Sequence, residues 1–475
     1  TTYKYDKEGN CTEKIKTGSS EKYTYDKEGR LTSITYSDNS MEKFEYDVHG
    51  NKTSYTDKKG NTMTYIYDKD DRMTKTVDAN GISTEYEYDG VGNLTKKTLH
   101  RKKGNSKADE VTTYSYDGNN NIICKTDALG KKESYEYDLN GNLVTVKNNS
   151  GKVVTSYSYD AVNNCTKKTV DGKTTTYEYN KNDYQTAMST ASGTISYVRD
   201  ELDRITETVY ENGKTVKYSY DNDGNKTGIT YTDGKKVSYT YDGNKNVTEV
   251  ADGDKKTEYT YDSDNNRITK TEGKVTQEST YDIYGNVLTV SRKENETSKL
   301  IESYEYDLNG NVTKHYESGI INGKKKTTTY EYDSLNRLVS EKGDKTVTYT
   351  YDDVGNLLKE TIGKKTTTYT YNNLNQQITK KGSSVFSIKR SNKYSENGTA
   401  KRTVNPEKEI KTYEISSLMD GTVSEIKKGI SEKTAYTYDG LGNRTRETIT
   451  TGLIKKKKKE KEYVWDYTEK YPILL

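Results

Sequence analysis

The sequence predicts an all-β fold, a long antiparallel ribbon of β-hairpins in repeats of about 20 residues, coiled into a spiral or a hollow β-shell. One observation is a motif, Tyr-x-Tyr-Asp-x-x-Gly-Asn/Arg-apolar-Thr, that returns along the 475 residues. A second is the composition between those motifs, where Tyr, Thr and Val alternate with charged residues as in strands with two different faces. The third is a deficit. Only 29% of the chain is hydrophobic, even counting 47 Tyr, and it holds just 2 Phe and 1 Trp. A chain so poor in aliphatic residues would ordinarily be disordered, so tyrosine and regular backbone pairing must replace a central core.

The turn comes first in the motif. Its Asp falls at 6, 26, 47, 68, 89, 117, 138, 160, 200, 221, 242, 262, 282, 307, 333, 352 and 439, with Asn180 and Asn372 in the same place, mostly in steps of 19 to 22 residues. Asp suits the first position of a type I turn, where its carboxylate accepts from the backbone two residues on. Three residues later stands Gly in the pairs Asp26 and Gly29, Asp47 and Gly50, Asp89 and Gly92, Asp138 and Gly141, Asp221 and Gly224, Asp307 and Gly310, Asp352 and Gly355, and Asp439 and Gly442. Gly9 and Gly285 hold the same slot after Asp6 and Asp282, the remaining copies have Asp or Asn there, and Lys245 is the exception. Residues that tolerate positive φ at this slot predict a left-handed residue closing a type I turn with a G1 bulge.

The strand precedes the turn. Alternate tyrosines such as Tyr23 and Tyr25, Tyr86 and Tyr88, or Tyr135 and Tyr137 put both rings on one strand face. Halfway to the next motif, Asp57 to Gly60, Asn80-Gly81, Asp171-Gly172, Asn212-Gly213, Asp233-Gly234 and Asp252-Gly253 predict a second hairpin turn. Each repeat is therefore two strands and two turns, and the chain is a meander of on the order of 45 strands without helical periodicity. At about 4.8 Å per strand the ribbon is roughly 200 Å wide, more than an open sheet sustains flat. Closed in a single turn it would measure roughly 60 to 70 Å across, too wide for side chains to fill.

Residues 1–383 carry the regular repeat. Residues 384–430 lack the Tyr-Asp turn and read as degenerate or elaborated repeats, while 431–475 hold a further repeat and a tail, with no separate catalytic domain. The basic run Lys455 to Lys459 reads as a solvated hairpin tip and Arg101 to Lys107 as a solvated loop.

Several function classes are excluded. The 76 basic and 73 acidic residues leave a net charge of +3, which gives no field for nucleic acid. No apolar window is long enough for a membrane span. Three Cys, widely spaced, form neither a disulfide framework nor a metal knuckle. His49, His100 and His315 lie far apart and read as satisfied surface residues, and Cys11 and Cys165 occupy the apolar slot after the turn as small buried hydrophobes. The repeat Asp are committed to capping turns, so no pair stands out for glycoside hydrolysis. No catalytic residue, metal or cofactor is expected.

Tyr-x-Tyr-Asp-x-x-Gly-Asn-Leu-Thr, as it stands from Tyr86 to Thr95, resembles the signature of the YD-repeat or Rhs-repeat family, and about nineteen copies cover nearly the whole chain. That family includes bacterial Rhs and wall-associated polymorphic toxins, the BC components of Tc toxins, and the teneurin shell. The tail from Tyr463-Val464-Trp465-Asp466-Tyr467 through Tyr471-Pro472-Ile473-Leu474 is similar to an element found among the repeats of Rhs-type shells. The resemblance implies a β-ribbon wound into a hollow cocoon around a C-terminal toxin or effector domain, in a secreted or cell-surface bacterial protein. It carries over no catalytic residue: the family's self-cleaving site lies beside an Asp-Pro motif, and the prolines here are Pro406 and Pro472, neither after Asp. The expected partner is that toxin domain. The alternative is a cell-surface or cell-wall carbohydrate-binding adhesin, and ring orientation separates the two: tyrosines packed against strands favour a shell, and an exposed tyrosine groove favours glycan.

Overall fold

The structure is a computed structural model that describes every residue except 17, 102–108, 320–322, 384–389, 395–399, 405–410, 418–422, 429–430, 440, 442, 453–455, 469–472 and 475. Among the described residues there are forty-five strands and no helix, hence no helix long and apolar enough to cross a membrane. Strands pair antiparallel with their sequence neighbours, which is the hairpin ribbon that the repeat predicts. Strand Lys132–Tyr137, for example, pairs with Leu143–Lys147, and that strand pairs with Val153–Tyr159.

The register of the first pair is Tyr135↔Val146 and Glu136↔Thr145, then slips to Tyr137↔Leu143. This slip is the bulge. At the turn the Asp138 N–H donates to the Asn142 carbonyl at 2.9 Å and the Gly141 N–H to the Asp138 carbonyl at 3.1 Å. Among the described residues, position i+3 is left-handed: φ is 82° at Gly141, 70° at Asn163 and 66° at Lys245. Lys245 thus adopts the strained conformation without the residue type that favours it.

The second turns are more varied. Asp57 to Gly60 repeats the bulged geometry, with the Asp57 N–H donating to the Asn61 carbonyl at 2.9 Å. Asp171 and Gly172, with φ of 48° and 77°, form a two-residue type I′ connection between the paired Val170 and Lys173. Asp252 itself pairs with Lys255, so that hairpin turns on Gly253-Asp254, one residue later than the Asp-Gly cue suggests.

Strand faces differ in burial as the alternation requires. In Met41–Tyr46 the side chains of Glu42, Phe44 and Tyr46 are half-buried while Met41, Lys43 and Glu45 are exposed.

Two compact units result, one of Thr1–Val111 with Tyr239–Thr367, the other of Thr112–Ser238 with Thr368–Leu475. In the first, residues of the early segment bond to residues 248 to 254 positions later. In the second, the corresponding separations are 240 to 255. The second unit also holds the densest packing: Met188, Ile195 and Thr208 are fully buried, and Val216 and Ile229 nearly so.

Lys457 to Lys459 of the basic run lie not at a hairpin tip but on an exposed strand, Lys457–Glu462, paired with Arg444–Thr451. Lys455 lies outside the described residues, as do Gly442, Pro406, Tyr471 and Pro472.

Candidate functional site

The repeated chemistry is a carboxylate box. At Asp26, Oδ1 accepts from the backbone N–H of Glu28 (3.0 Å) and Arg30 (2.9 Å), and Oδ2 accepts from Arg30 Nε (2.6 Å). At Asp138, Oδ1 serves Asn140 and Asn142, and Oδ2 takes the Asn142 side-chain amide at 3.0 Å. Asp47, Asp89, Asp221, Asp307, Asp352 and Asp439 are built alike. This explains the Asn/Arg alternation in the motif, because both side chains reach back to the second oxygen. The Asn142 amide holds the Asp138 carboxyl below its ordinary range. At Asp26 burial acts in the opposite direction, and the Arg30 N–H and guanidinium outweigh it.

Tyrosine supplies the second device. In many repeats the tyrosine immediately before the Asp lies across the preceding repeat and donates its hydroxyl to the carbonyl of the residue after that repeat's turn. Tyr25 reaches Cys11 (2.8 Å), Tyr88 reaches Met73 (2.8 Å), Tyr137 reaches Ile122 (3.0 Å), Tyr306 reaches Val287 (2.7 Å) and Tyr438 reaches Val423 (2.6 Å). Arg199 replaces Tyr in one repeat and makes the same bond from its guanidinium to the Gln185 carbonyl at 2.9 Å. Tyr394, in the irregular segment, still reaches Gln377 at 2.7 Å. Tyr5 has no preceding repeat in this sequence to lie on, and 62% of its surface is exposed. The other tyrosine of each pair is less constrained: Tyr135 donates to Glu133 at 2.9 Å, and Tyr23 donates to Glu21. In these repeats the ring before the Asp rests on the neighbouring strand with its hydroxyl engaged.

Neighbouring repeats are joined again at the turns. Where position i+4 is Arg, it covers the next repeat's tyrosine and donates to the next Asp carbonyl: Arg30 lies 5.1 Å from the Tyr46 ring and 2.7 Å from the Asp47 carbonyl. Arg72, Arg204 and Arg337 do likewise. Where it is Asn and the next repeat's left-handed slot holds Asp or Asn, its amide can reach that side chain, as Asn51 to Asp71 (2.7 Å) and Asn142 to Asn163 (2.8 Å). Non-glycine residues at that slot thus gain a bond that Gly cannot make.

Inside the first unit, second-type turns of the early segment meet Asp-x-x-Gly turns of the later one. Asn309 Nδ2 donates to Asp57 at 2.8 Å, Lys59 pairs with Asp307 at 3.1 Å, and Ser334 donates to Asn80 at 2.5 Å. Lys58 sits between the rings of Tyr36 (3.4 Å) and Tyr284 (4.0 Å), beside a cleft of about 760 Å³. Glu42 there accepts from both Tyr36 and Tyr55 at 2.6 Å, so the polar groups of the cleft satisfy one another. Arg101, which the sequence places in a solvated loop, is buried at this seam. It pairs with Glu110 and stands 3.7 Å from Asp352, itself 8% exposed; three charges of alternating sign make that burial tolerable.

The second unit closes its seam with the tail. Tyr210 donates to the Trp465 carbonyl (2.6 Å), Trp465 Nε1 to the Arg444 carbonyl (2.7 Å), and Tyr467 to the Asp439 carboxylate (2.5 Å). Lys226 and Asp466 form a buried ion pair at 2.6 Å.

The remaining candidates are dispersed. His49 contacts Asp71 at 3.2 Å in an exposed turn. His100 lies between Glu85 and Asp109, both at 2.9 Å, and their hydrogen bonds raise its pKa. The three cysteines are free and half-buried rather than fully buried, and burial pushes the Cys165 thiol up, away from nucleophile chemistry.

The RHS Repeat family model matches residues 25–62, 67–100, 116–153, 137–171 and 199–236, and the Teneurin YD-shell model matches 257–455. No curated protein sequence matches the chain. In fold it is similar to the crystal structure of TcdB2-TccC3 (TM-score 0.63, 16% identity, covering 94% of this chain and 31% of that one). It is similar too to TcdB2-TccC3 without its hypervariable C-terminal region (0.62, 16%, 94% and 30%). The Photorhabdus luminescens Tc holotoxin pore is a third such structure (0.62, 15%, 97% and 31%). The chain spans less than a third of the length of each.

Proposed function

Since the chain belongs to the YD/Rhs-repeat family, we propose that it is a stretch of shell wall whose role is containment, enclosing a toxin or effector domain that follows it in the parent protein and is delivered outside a bacterial cell. The role is structural and not catalytic: the carboxylates cap turns, and the tyrosine hydroxyls that lie against strands bond backbone carbonyls.

One observation carries the reading. The same separation, roughly 250 residues, links early and late segments in each unit. At about ten residues per strand and turn, each such link joins strands about 25 apart along the ribbon, so that within each unit one stretch of wall is fastened to another.

Electron microscopy of the purified chain tests this. Density concentrated in a wall around a low-density interior is the expected result, and a particle with a filled centre overturns containment.

A further inference from the structure

We propose a divalent-metal site on the tyrosine face at Glu302, His315 and Glu317, with zinc as the best-matched ion. Glu302 lies on Thr297–Tyr306, and His315 and Glu317 lie on Val312–Glu317. The register sets Glu302 directly opposite Glu317 and Tyr304 directly opposite His315. Like charges directly opposed across an antiparallel pair repel. Lys326 faces Glu317 from its other neighbour strand.

The geometry is that of a ligand set. One atom from each of the three residues lies within 4.8 Å of the others. His315 Nε2 is shut off from solvent, has no hydrogen-bond partner, and stands 3.9 Å from Glu302 Oε2, too far for a hydrogen bond. Ligand atoms around a tetrahedral ion at about 2.0 to 2.2 Å stand roughly 3.4 Å apart, so a small side-chain adjustment closes the set. The surroundings hold the ligands in place: the imidazole lies flat on the Tyr304 ring, centroids 4.5 Å apart and planes within 5°, and the Tyr304 hydroxyl donates to Glu302. Fixing a ligand from behind in this way is what outer partners of metal sites do. One imidazole and two carboxylates match Zn²⁺ or a neighbouring transition ion better than Ca²⁺ or Mg²⁺, which favour all-oxygen shells. The bound ion would brace the strand that leads into the Asp307 turn, where the first unit's seam is made.

The test is titration of metal-free chain with Zn²⁺ by calorimetry and with Co²⁺ by visible absorption. One site per chain is expected, with His315→Ala and Glu317→Gln each weakening it by at least about tenfold, and His49→Ala and His100→Ala leaving it unchanged. Imidazole ¹⁵N resonances of the wild-type chain give a readout independent of any variant: zinc should shift the histidine that shows a nuclear Overhauser contact to Tyr304. Equal affinity in the His315→Ala chain, or a shift at His49 or His100 instead, overturns the assignment.

Discussion

A tyrosine hydroxyl that reaches the carbonyl beside its neighbour's bulge can be removed without touching the ring, which isolates its contribution. Tyr137→Phe should destabilise by about 1 kcal/mol, whereas Tyr135→Phe, whose partner is the exposed Glu133, should stay within about 0.5 kcal/mol; urea denaturation of both variants decides. Lys245 offers the converse case. Its φ of 66° is costly for a side chain with no local hydrogen bond to compensate, so Lys245→Gly should stabilise by about 1 kcal/mol, and Gly92→Ala, at φ 98°, should destabilise by a similar amount. The turn carboxylates set the response to acid. Their folded pKa values lie below the ordinary value, as at Asp89, Asp117 and Asp138, where Asn partners stabilise the charged form. Such groups contribute stability that is present above the unfolded Asp pKa, near 3.9, and lost as pH falls through the lower folded values. Melting temperature should therefore be level down to about pH 4 and drop steeply below it, and a flat profile to pH 2.5 would contradict the role assigned to the box.

Each repeat was legible as an element because its signals are local. Tyrosine alternation marks the strand and Asp-x-x-Gly the turn, and both act within ten residues. The tyrosine bond across repeats also leaves a mark in the sequence: the position before the Asp is Tyr, or once Arg199, and never Phe, while the earlier tyrosine position accepts Phe44 and Ser279. Only a donor serves at the first of these. The seams were not legible. Asn309 and Asp57 are 252 residues apart, neither departs from its repeat's pattern, and nothing in a local window pairs them. The same holds for Arg101, whose burial depends on Asp352, and for the Glu302, His315 and Glu317 cluster, which needs the strand register to bring Glu302 across. Seam elements differ in burial and so in consequence. Lys226→Ala strands the Asp466 carboxylate, 3% exposed, and should cost about 3 kcal/mol, whereas Lys214→Ala, opposite the part-exposed Glu462, should cost no more than about 0.5 kcal/mol. Thermal denaturation of the two variants measures the contrast.

For the molecule as a whole, a ribbon whose repeats touch mainly their neighbours should not melt as one cooperative block. Trp465 is the single tryptophan and sits in the tail seam of the second unit, so its fluorescence reports that seam alone. Its urea midpoint should differ from that seen by far-ultraviolet circular dichroism, and coincident transitions would show a cooperativity that these nearest-neighbour bonds do not supply. The tyrosine bonds also have a direction. Among the described residues, hydroxyls such as those of Tyr25, Tyr88 and Tyr137 reach a carbonyl of the neighbouring repeat towards the N-terminus, so such a repeat carries the donor and its predecessor already holds the acceptor. During synthesis the chain emerges in that same order, and every new hairpin meets a docking point that is already in place. Growth of the wall is thereby a ratchet: it adds units at one end, needs no distant segment to begin, and leaves behind it a ribbon already fastened to itself before any seam has formed.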